Sequence, residues 1–514
     1  MPARPTSKHI GYLKLAVGSG FYLYDTTTNA VACLPELAFA LIDDYLAVGP
    51  DAAVRRHAVG ASSEEIEEAL AFLEHAVSEA GMLQPFFAKR YDGVLDPERL
   101  ATVLSSGLEG LTLGVTEECN QRCTYCVYSG HYAGERTHQN RHMAEEVAQW
   151  SLDFFLPRAS TSSGEVDVAF YGGEPLLRWP MVKRCIEYVL GHPARGKNVK
   201  LSVSSNLTLM KGEILAFLVE HDVDLAVSLD GPPKIHDSAR LLRNGSGTHA
   251  RVEDWLRRIW RDHPRYFRNN VSINATFDLR NDIRQVFDFF AQDWLLGANA
   301  QVSAIRREGN DAYVVSAEQL ARHREHLDEL VRRHVRSLAT GEPFHHDLLR
   351  RTLRDTFAVV ANRELELAEV DAHPNSTCIP GARRLFVDVQ GRFYPCQSLC
   401  FEAAAIGDCE HGFDLPSVRG QLETMVGFCA DTCQECWANR LCSHCLIHLA
   451  DAGQLSPSKK RERCEKERAR LAKGFERFIE LIESVPPELQ DHPESIHSLL
   501  RRLHGEAPLD EAAE

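Results

Sequence analysis

The sequence predicts an α/β protein: a partial barrel of six β/α units, preceded by a small α+β module and followed by a cysteine-rich domain. Three observations predict it. From about residue 108 to 305, short apolar strands alternate with amphipathic helices, the pattern of a parallel sheet with helical crossovers. The stretch 9–90 has a hairpin and helices instead. Ten of the 15 cysteines fall between Cys378 and Cys464, where long periodic segments are few. A chain of 514 residues at 44% hydrophobic is ample for two or three packed domains.

In the first unit, alternating apolar segments at 22–24 and 31–34 flank Asp25-Thr-Thr-Thr-Asn29, a hairpin turn. Helical periodicity follows at 35–46 and 63–80. Ser62 with Glu65 three residues on forms a capping-box start, and Gly81 marks the end. The barrel strands are expected at 111–115, 166–171, 200–203, 225–229, 271–276 and 301–305, with helices such as 144–155 and 212–220 between them. Six units fall short of a full eight-stranded barrel. Residues 316–370 are charged and helical, and in 371–470 metal is expected to replace much of the core. The expected division is 1–95 α+β module, 105–310 barrel core, 311–370 helical bridge, 371–470 cysteine-rich domain and 471–514 helical tail.

Net charge is −16, which disfavours a nucleic-acid binder, because phosphate contacts need clustered Lys and Arg. The N-terminus lacks a signal peptide's apolar core, and no run of 18 apolar residues suggests a membrane span. A cytoplasmic protein is expected. In a reducing cytosol, clustered thiols read as metal ligands rather than disulfides. Cys33 and Cys185 stand alone and read as core thiols.

The first expected strand runs into Cys119-Asn-Gln-Arg-Cys123-Thr-Tyr-Cys126. Three thiolates on a short loop can take three corners of a cubane cluster, leaving one iron for a chelating amino-carboxylate. Zinc is the alternative, but structural zinc sites close with four ligands, and only His131 is near enough to help. The loop also follows the first strand of a β/α series, where barrel active sites lie.

With Tyr125 in its aromatic position, this motif resembles that of the radical S-adenosylmethionine (SAM) superfamily. The resemblance implies a SAM-binding 4Fe–4S cluster on Cys119, Cys123 and Cys126, with Tyr125 against the adenine. It also implies generation of a 5′-deoxyadenosyl radical. Gly172-Gly173-Glu174-Pro175 is similar to the family's GGEP element, whose backbone meets the SAM ammonium. Ser204-Ser-Asn206-Leu207-Thr resembles its Thr-Asn-Gly-Thr stretch but has Leu207 where glycine is usual. Ser228-Leu-Asp-Gly231, then His236-Asp-x-x-Arg240, looks like the fourth-strand signature of peptide-modifying members. By resemblance Ser228 and Arg240 hold the ribose and carboxylate of SAM, and a guanidinium suits a carboxylate bidentately. A surface salt bridge is the plainer reading of Arg240.

In the last third, Cys378, Gly391-x4-Cys396, Cys433-x2-Cys436-x5-Cys442-x2-Cys445 and Cys464 resemble the SPASM domain. The family's gap before Cys445 is three residues, here two. The resemblance implies two auxiliary 4Fe–4S clusters, one on Cys378, Cys396 and Cys445, the other on Cys433, Cys436, Cys442 and Cys464. Cys400, Cys409 or Cys429 supplies a fourth ligand to the first, or the site stays open for a substrate thiolate. Paired C-x2-C elements alone would be nearly even between zinc and iron–sulfur. Cys429-x3-Cys433-x2-Cys436 repeats the SAM-loop spacing, but no β/α series follows it.

Residues 9–90 resemble a RiPP recognition element, a winged-helix-like module of three strands and three helices that grips a leader peptide as an added strand. Cys126-Val-Tyr-Ser-Gly-His-Tyr132, Arg136, His138 and Met143 resemble thioether-forming maturases. The resemblance therefore implies a radical SAM peptide maturase that crosslinks a ribosomally made precursor peptide. A thioether is favoured, with C–C or C–O bonds as the other outcomes, and flavodoxin or ferredoxin is the expected electron donor. An anaerobic sulfatase-maturing enzyme is the second reading, against which Gln397 stands where those enzymes carry an acidic residue. A noncatalytic Fe–S peptide-binding or redox-sensing protein is the third.

Overall fold

A computed structural model describes residues 10–483 except 86–94, 133, 160–164, 193–198, 296–297, 308, 311, 341–347, 349–358, 361–362, 364, 366–377, 434 and 452. Most of the expected bridge beyond 340 and the tail from 484 therefore lie outside the described residues.

The chain begins with an antiparallel sheet, β1 (Tyr12–Val17), β2 (Gly20–Asp25) and β3 (Val31–Leu34), in that order. Asp25 shapes the β2–β3 turn by accepting from Thr28 N at 2.8 Å. Three helices follow, α1 (Glu36–Val48), α2 (Pro50–His57) and α3 (Ser63–Ser78). The capping box forms as the sequence predicts: Glu65 N donates to Ser62 Oγ at 3.2 Å and Ser62 N donates to Glu65 Oε2 at 2.6 Å. Periodicity alone placed neither strand β1 nor helix α2. Cys33 is exposed on β3, contrary to the expectation of a core thiol, whereas Cys185 is buried. A four-residue edge strand turns alternate side chains outward, and Cys33 takes an outward position.

After α4 (Pro97–Ser106) the chain enters β4 (Gly110–Thr116), α5 (Glu145–Arg158), β5 (Val166–Gly172), α6 (Trp179–Gly191), β6 (Val199–Ser205) and α7 (Gly212–Glu220). Then come β7 (Asp224–Ser228), the helices α8 (Pro233–Ala239), α9 (His249–Asp262) and α10 (Pro264–Asn270), β8 (Val271–Phe277), α11 (Ile283–Phe290) and β9 (Asn299–Ala304). The six strands pair in parallel and in sequence order from β4 to β9. That is the order of a partial barrel, each strand followed by its covering helix. One apolar core joins strands to helices, including Leu111, Phe170, Val203, Val227, Ile273, Phe155, Ile186, Leu218 and Phe287. The long helix α12 (Ala317–Thr340) follows, with Leu330 and Val331 in the same core.

The sheet continues beyond β4. Strands β10 (Arg384–Val387), β11 (Arg392–Tyr394), β12 (Gly407–Asp408) and β13 (Gly412–Phe413) extend it to ten. Strand β10 pairs with β4 in parallel, Leu385 opposite Leu111, and the rest add antiparallel. Two helices complete the described chain, α13 (Leu415–Thr432) and α14 (Pro457–Glu483).

The cysteine-rich stretch also has an apolar core of its own. Phe386, Tyr394, Leu399, Phe401, Met425, Leu446 and Leu449 cluster there, which corrects the expectation that metal would replace much of it. The sequence signal was weak because these residues sit on short strands and single turns. Among the described residues no helix is long and apolar enough to cross a membrane.

Candidate active site

The carboxyl ends of the parallel strands open on one cavity of about 440 Å³, within the range of small-molecule sites. Cys119, Cys123, Tyr125 and Cys126 line one side of it. Gly172, Gly173 and Glu174 from the end of β5, Ser204 and Asn206 from β6, and Ser228 and Arg240 from β7 and beyond α8 line the others. The cavity thus gathers every residue that the sequence reading placed around SAM except Pro175, which is buried and opens a short 3-10 turn.

Backbone pairing explains why residues more than a hundred positions apart meet here. The cysteine loop is laced to the segment after α8: Arg122 N donates to Leu241 O at 2.8 Å, Thr124 N to Ala239 O at 3.2 Å, and Arg243 N to Asn120 O at 3.2 Å. Arg240 stands between these bonds and faces the loop. Its Nε donates to Asp230 Oδ2 at 2.9 Å, and NH1 lies 3.9 Å from Cys123 Sγ. Asp230 also accepts from the Tyr125 hydroxyl and from Thr276 N at 2.8 Å. The Arg240–Asp230 pair is buried, with side chains 10% and 2% exposed, which removes the surface-salt-bridge reading.

The glycine pair brings β5 against the cysteine loop. Gly173 N donates to Thr116 O at 2.7 Å and Glu174 N to Glu118 O at 2.9 Å. A Cβ on Gly172, whose φ is +133°, would stand 2.3 Å from Thr116 O; one on Gly173 would stand 2.1 Å from Glu118 O. Only glycine fits either position. Glu174 is buried with its oxygens engaged: Oε1 accepts from Ser205 Oγ at 2.8 Å and Leu176 N at 3.0 Å, and Oε2 from Asn206 N at 2.8 Å. Burial raises its pKa to about 7. Glu174 therefore clamps β5 to β6. Asn206 Nδ2 reaches Asn120 Oδ1 at 3.0 Å and stands 3.8 Å from Cys119 Sγ.

Burial pushes the Cys119 and Cys123 thiols up to about 12 and raises Cys126 as well. Such thiols are poor free nucleophiles at neutral pH and become thiolates on binding metal. Among the described residues no three Cys, His, Asp or Glu side chains meet closely enough for a single metal ion. The loop's donors are all sulfur and surround a shared space, a set that fits three corners of an iron–sulfur cluster.

The second group of cysteines divides in two. Burial, then the neighbouring Cys445 and Cys396, raises Cys378 to about 11, so these three lie together. Cys433, Cys436, Cys442 and Cys464 line a separate small cavity, with Cys429 as a fifth thiol. Of the three cysteines left open by the sequence, Cys429 is therefore in the second set. Cys409 lies elsewhere, where a Cβ on Gly391 would come within 2.5 Å of its sulfur. Cys400 neighbours Cys396 and Arg136, whose NH1 and NH2 donate to Tyr128 Oη at 2.8 Å and to Gln397 O at 2.7 Å.

Sequence reasoning missed Asp230, Asn120 and Lys460. Asp230 lies inside the quoted Ser228–Gly231 motif, and Lys460 precedes Cys464 by one helical turn, so both carried a local signal.

Residues 113–261 match the model of the Radical SAM superfamily. Among curated relatives, a radical SAM cyclopropyl synthase, TigE of Paramaledivibacter caminithermalis, is 26% identical over 187 residues, 34% of this chain and 38% of the relative. A cysteine-type anaerobic sulfatase-maturating enzyme of Clostridium perfringens is 30% identical over 136 residues, 26% of this chain and 36% of the relative. The matches thus span well under half the length of these relatives. The solved structure of native anSMEcpe with bound AdoMet and Cp18Cys peptide superposes with a TM-score of 0.53 at 19% identity, covering 73% of this chain and 98% of that one. That likeness shows a common fold. With residues 113–261 matched and the three-thiol loop at the mouth of the strands, the central domain of this chain is similar to that of the radical SAM superfamily, a likeness that implies a 4Fe–4S cluster and SAM.

Proposed function

We propose that the chain is a radical SAM peptide maturase that crosslinks a ribosomally made precursor peptide, with a thioether as the favoured bond. The observation that carries it is the single cavity shared by the cysteine loop, the glycine pair and Arg240. When bound, a 4Fe–4S cluster and SAM supply one-electron cleavage of SAM and so abstraction of hydrogen from a substrate C–H.

The chain's own residues hold and orient. Cys119, Cys123 and Cys126 ligate the cluster. Arg240, fixed on Asp230, takes the SAM carboxylate; the backbone at Gly172 and Gly173 takes the ammonium; and Ser228 takes the ribose, with Tyr125 and Ser204 beside the adenosyl part. Asn206 steadies the loop through Asn120. Pro175 and Glu174 set the turn. Residues 371–470 act as a SPASM domain, with one auxiliary cluster on Cys378, Cys396 and Cys445 and another on Cys433, Cys436, Cys442 and Cys464. Cys400 is the candidate fourth ligand of the first, supported by its place beside Cys396. The three strands and three helices at the N-terminus support a leader-binding role, with β3 an edge strand of its sheet among the described residues.

Formylglycine formation is the second reading, favoured by relatives named as anaerobic sulfatase-maturating enzymes. Gln397 in place of an acidic residue counts against it.

The test is to incubate the reconstituted protein with SAM, a reductant and any short peptide found encoded beside its gene. A thioether crosslink removes two hydrogens and one alkylatable thiol from the peptide. An aldehyde in place of a cysteine or serine would select the second reading, and an unmodified peptide despite SAM turnover would reject that substrate.

A further inference from the structure

Lys460 is a buried cation that the proposed SAM chemistry leaves unused. It lies on α14, four residues before Cys464, so both side chains project from one face of the helix. The residue is 1% exposed. Its Nζ donates to Cys433 Sγ at 3.2 Å, lies 3.8 Å from Cys464 Sγ and donates to Thr432 Oγ1. Among the described residues its hydrogen-bond partners are thus two sulfurs and a hydroxyl, with no carboxylate. Glu467, which lines the same cavity, is already committed to Ser443 N and Oγ at 3.0 and 2.6 Å and to Arg470 NH2 at 2.7 Å.

A buried ammonium without a counter-charge is strongly unfavourable. Thiolates carrying a metal centre would supply that counter-charge, and two of the sulfurs nearest Lys460 belong to the set Cys433, Cys436, Cys442 and Cys464. A positive charge hydrogen-bonded to a ligand sulfur favours the state of the centre that holds one more electron, because reduction adds negative charge beside it. At a side chain only 1% exposed, water screens this little.

We propose that Lys460 sets the reduction potential of the second auxiliary cluster, holding it above the value that its four cysteines alone would give. The proposal rests on the auxiliary-cluster reading above.

The experiment uses the full chain with Cys119, Cys123 and Cys126 changed to Ala, so that only auxiliary clusters contribute. Lys460, Lys460→Met and Lys460→Arg forms are reconstituted anaerobically with iron and sulfide, assayed for iron and zinc, and titrated with reductant by EPR. About eight irons are expected in each, four per cluster. In Lys460→Met one of the two midpoints should fall by about 59 mV or more, a tenfold loss in the reduced-to-oxidised ratio for one electron. The other midpoint should stay, and Lys460→Arg should keep both. Full iron loading with both midpoints unmoved in Lys460→Met overturns the proposal alone. Should the Met variant lose the cluster, Lys460→Gln, which keeps a donor without the charge, is titrated against the same two outcomes. Zinc in this cavity of the otherwise unaltered chain overturns the proposal together with the auxiliary-cluster reading.

Discussion

Asp230 is held from several sides. It accepts from Arg240, from the Tyr125 hydroxyl and from Thr276 N, while its own N–H donates to His236 Nδ1 at 3.2 Å. His236 Nε2 lies 3.0 Å from Thr248 Oγ1, which donates to Arg240 O at 2.9 Å. The ring therefore accepts at Nδ1 and is neutral. Its neighbour Asp237 accepts from Thr248 N and His249 N at 2.8 and 2.9 Å and caps α9. The His236-Asp-x-x-Arg240 motif is thus a scaffold that aims one guanidinium. Burial, then the charge of Arg240, lowers the His236 pKa to about 3 from 6.5. Below pH 6.5 the unfolded chain takes up a proton that the folded chain refuses. The stability from this group is complete above 6.5 and falls as the pH drops toward 3. The loss is about 1.4 kcal/mol for each pH unit. Urea unfolding at pH 7.5 and 5.5 should show the unaltered chain losing about 1.4 kcal/mol more than His236→Asn. Equal losses would contradict a neutral, buried ring.

At the scale of elements, the site depends on how closely β5 approaches the cysteine loop. The side chain of Gly173→Ala would need the space occupied by Glu118 O. The substitution is expected to cost roughly 1–3 kcal/mol and to strip the SAM-site cluster. Thermal unfolding and iron content check both, and undiminished loading would show that the approach is not needed. Leu207 makes the related point at β6. It has φ of +56° and is fully buried, so a branched side chain occupies the left-handed region where the family has glycine. The departure noticed in the sequence is thus a backbone position that favours glycine, held here by packing. Strands β4 to β9 were legible within a residue or two because each pairs with the next in the chain. Strands β10 to β13 were not. They are two to four residues long, too short for periodicity, and β10 finds its partner in β4, far back in the sequence.

At the scale of the molecule, the N-terminal sheet is packed against the cysteine-rich region. Leu15, Val17 and Tyr24 meet Ala438, Leu441, Leu471, Phe475 and Ile479 in one buried cluster, with the Tyr24 and Phe475 rings 4.6 Å apart. Thr26 Oγ1 donates to Trp437 O at 2.9 Å, between Cys436 and the next buried residue. This contact joins the proposed leader-binding unit to the proposed second auxiliary site. No pattern in the sequence could reveal it, because apolar residues facing another unit look the same as those facing their own core. The cysteine motifs were legible because their residue type and spacing are local features of the sequence. The ion pair behind Arg240 was not, because it depends on the path of β7 and α8.

The most direct test of the account is 5′-deoxyadenosine formation. Anaerobically reconstituted protein, given SAM and a strong reductant, should release it, and the chain with Cys119, Cys123 and Cys126 changed to Ala should release none. Equal release from both proteins would contradict a SAM-cleaving centre on that loop, and so would its complete absence from the iron-loaded, unaltered chain.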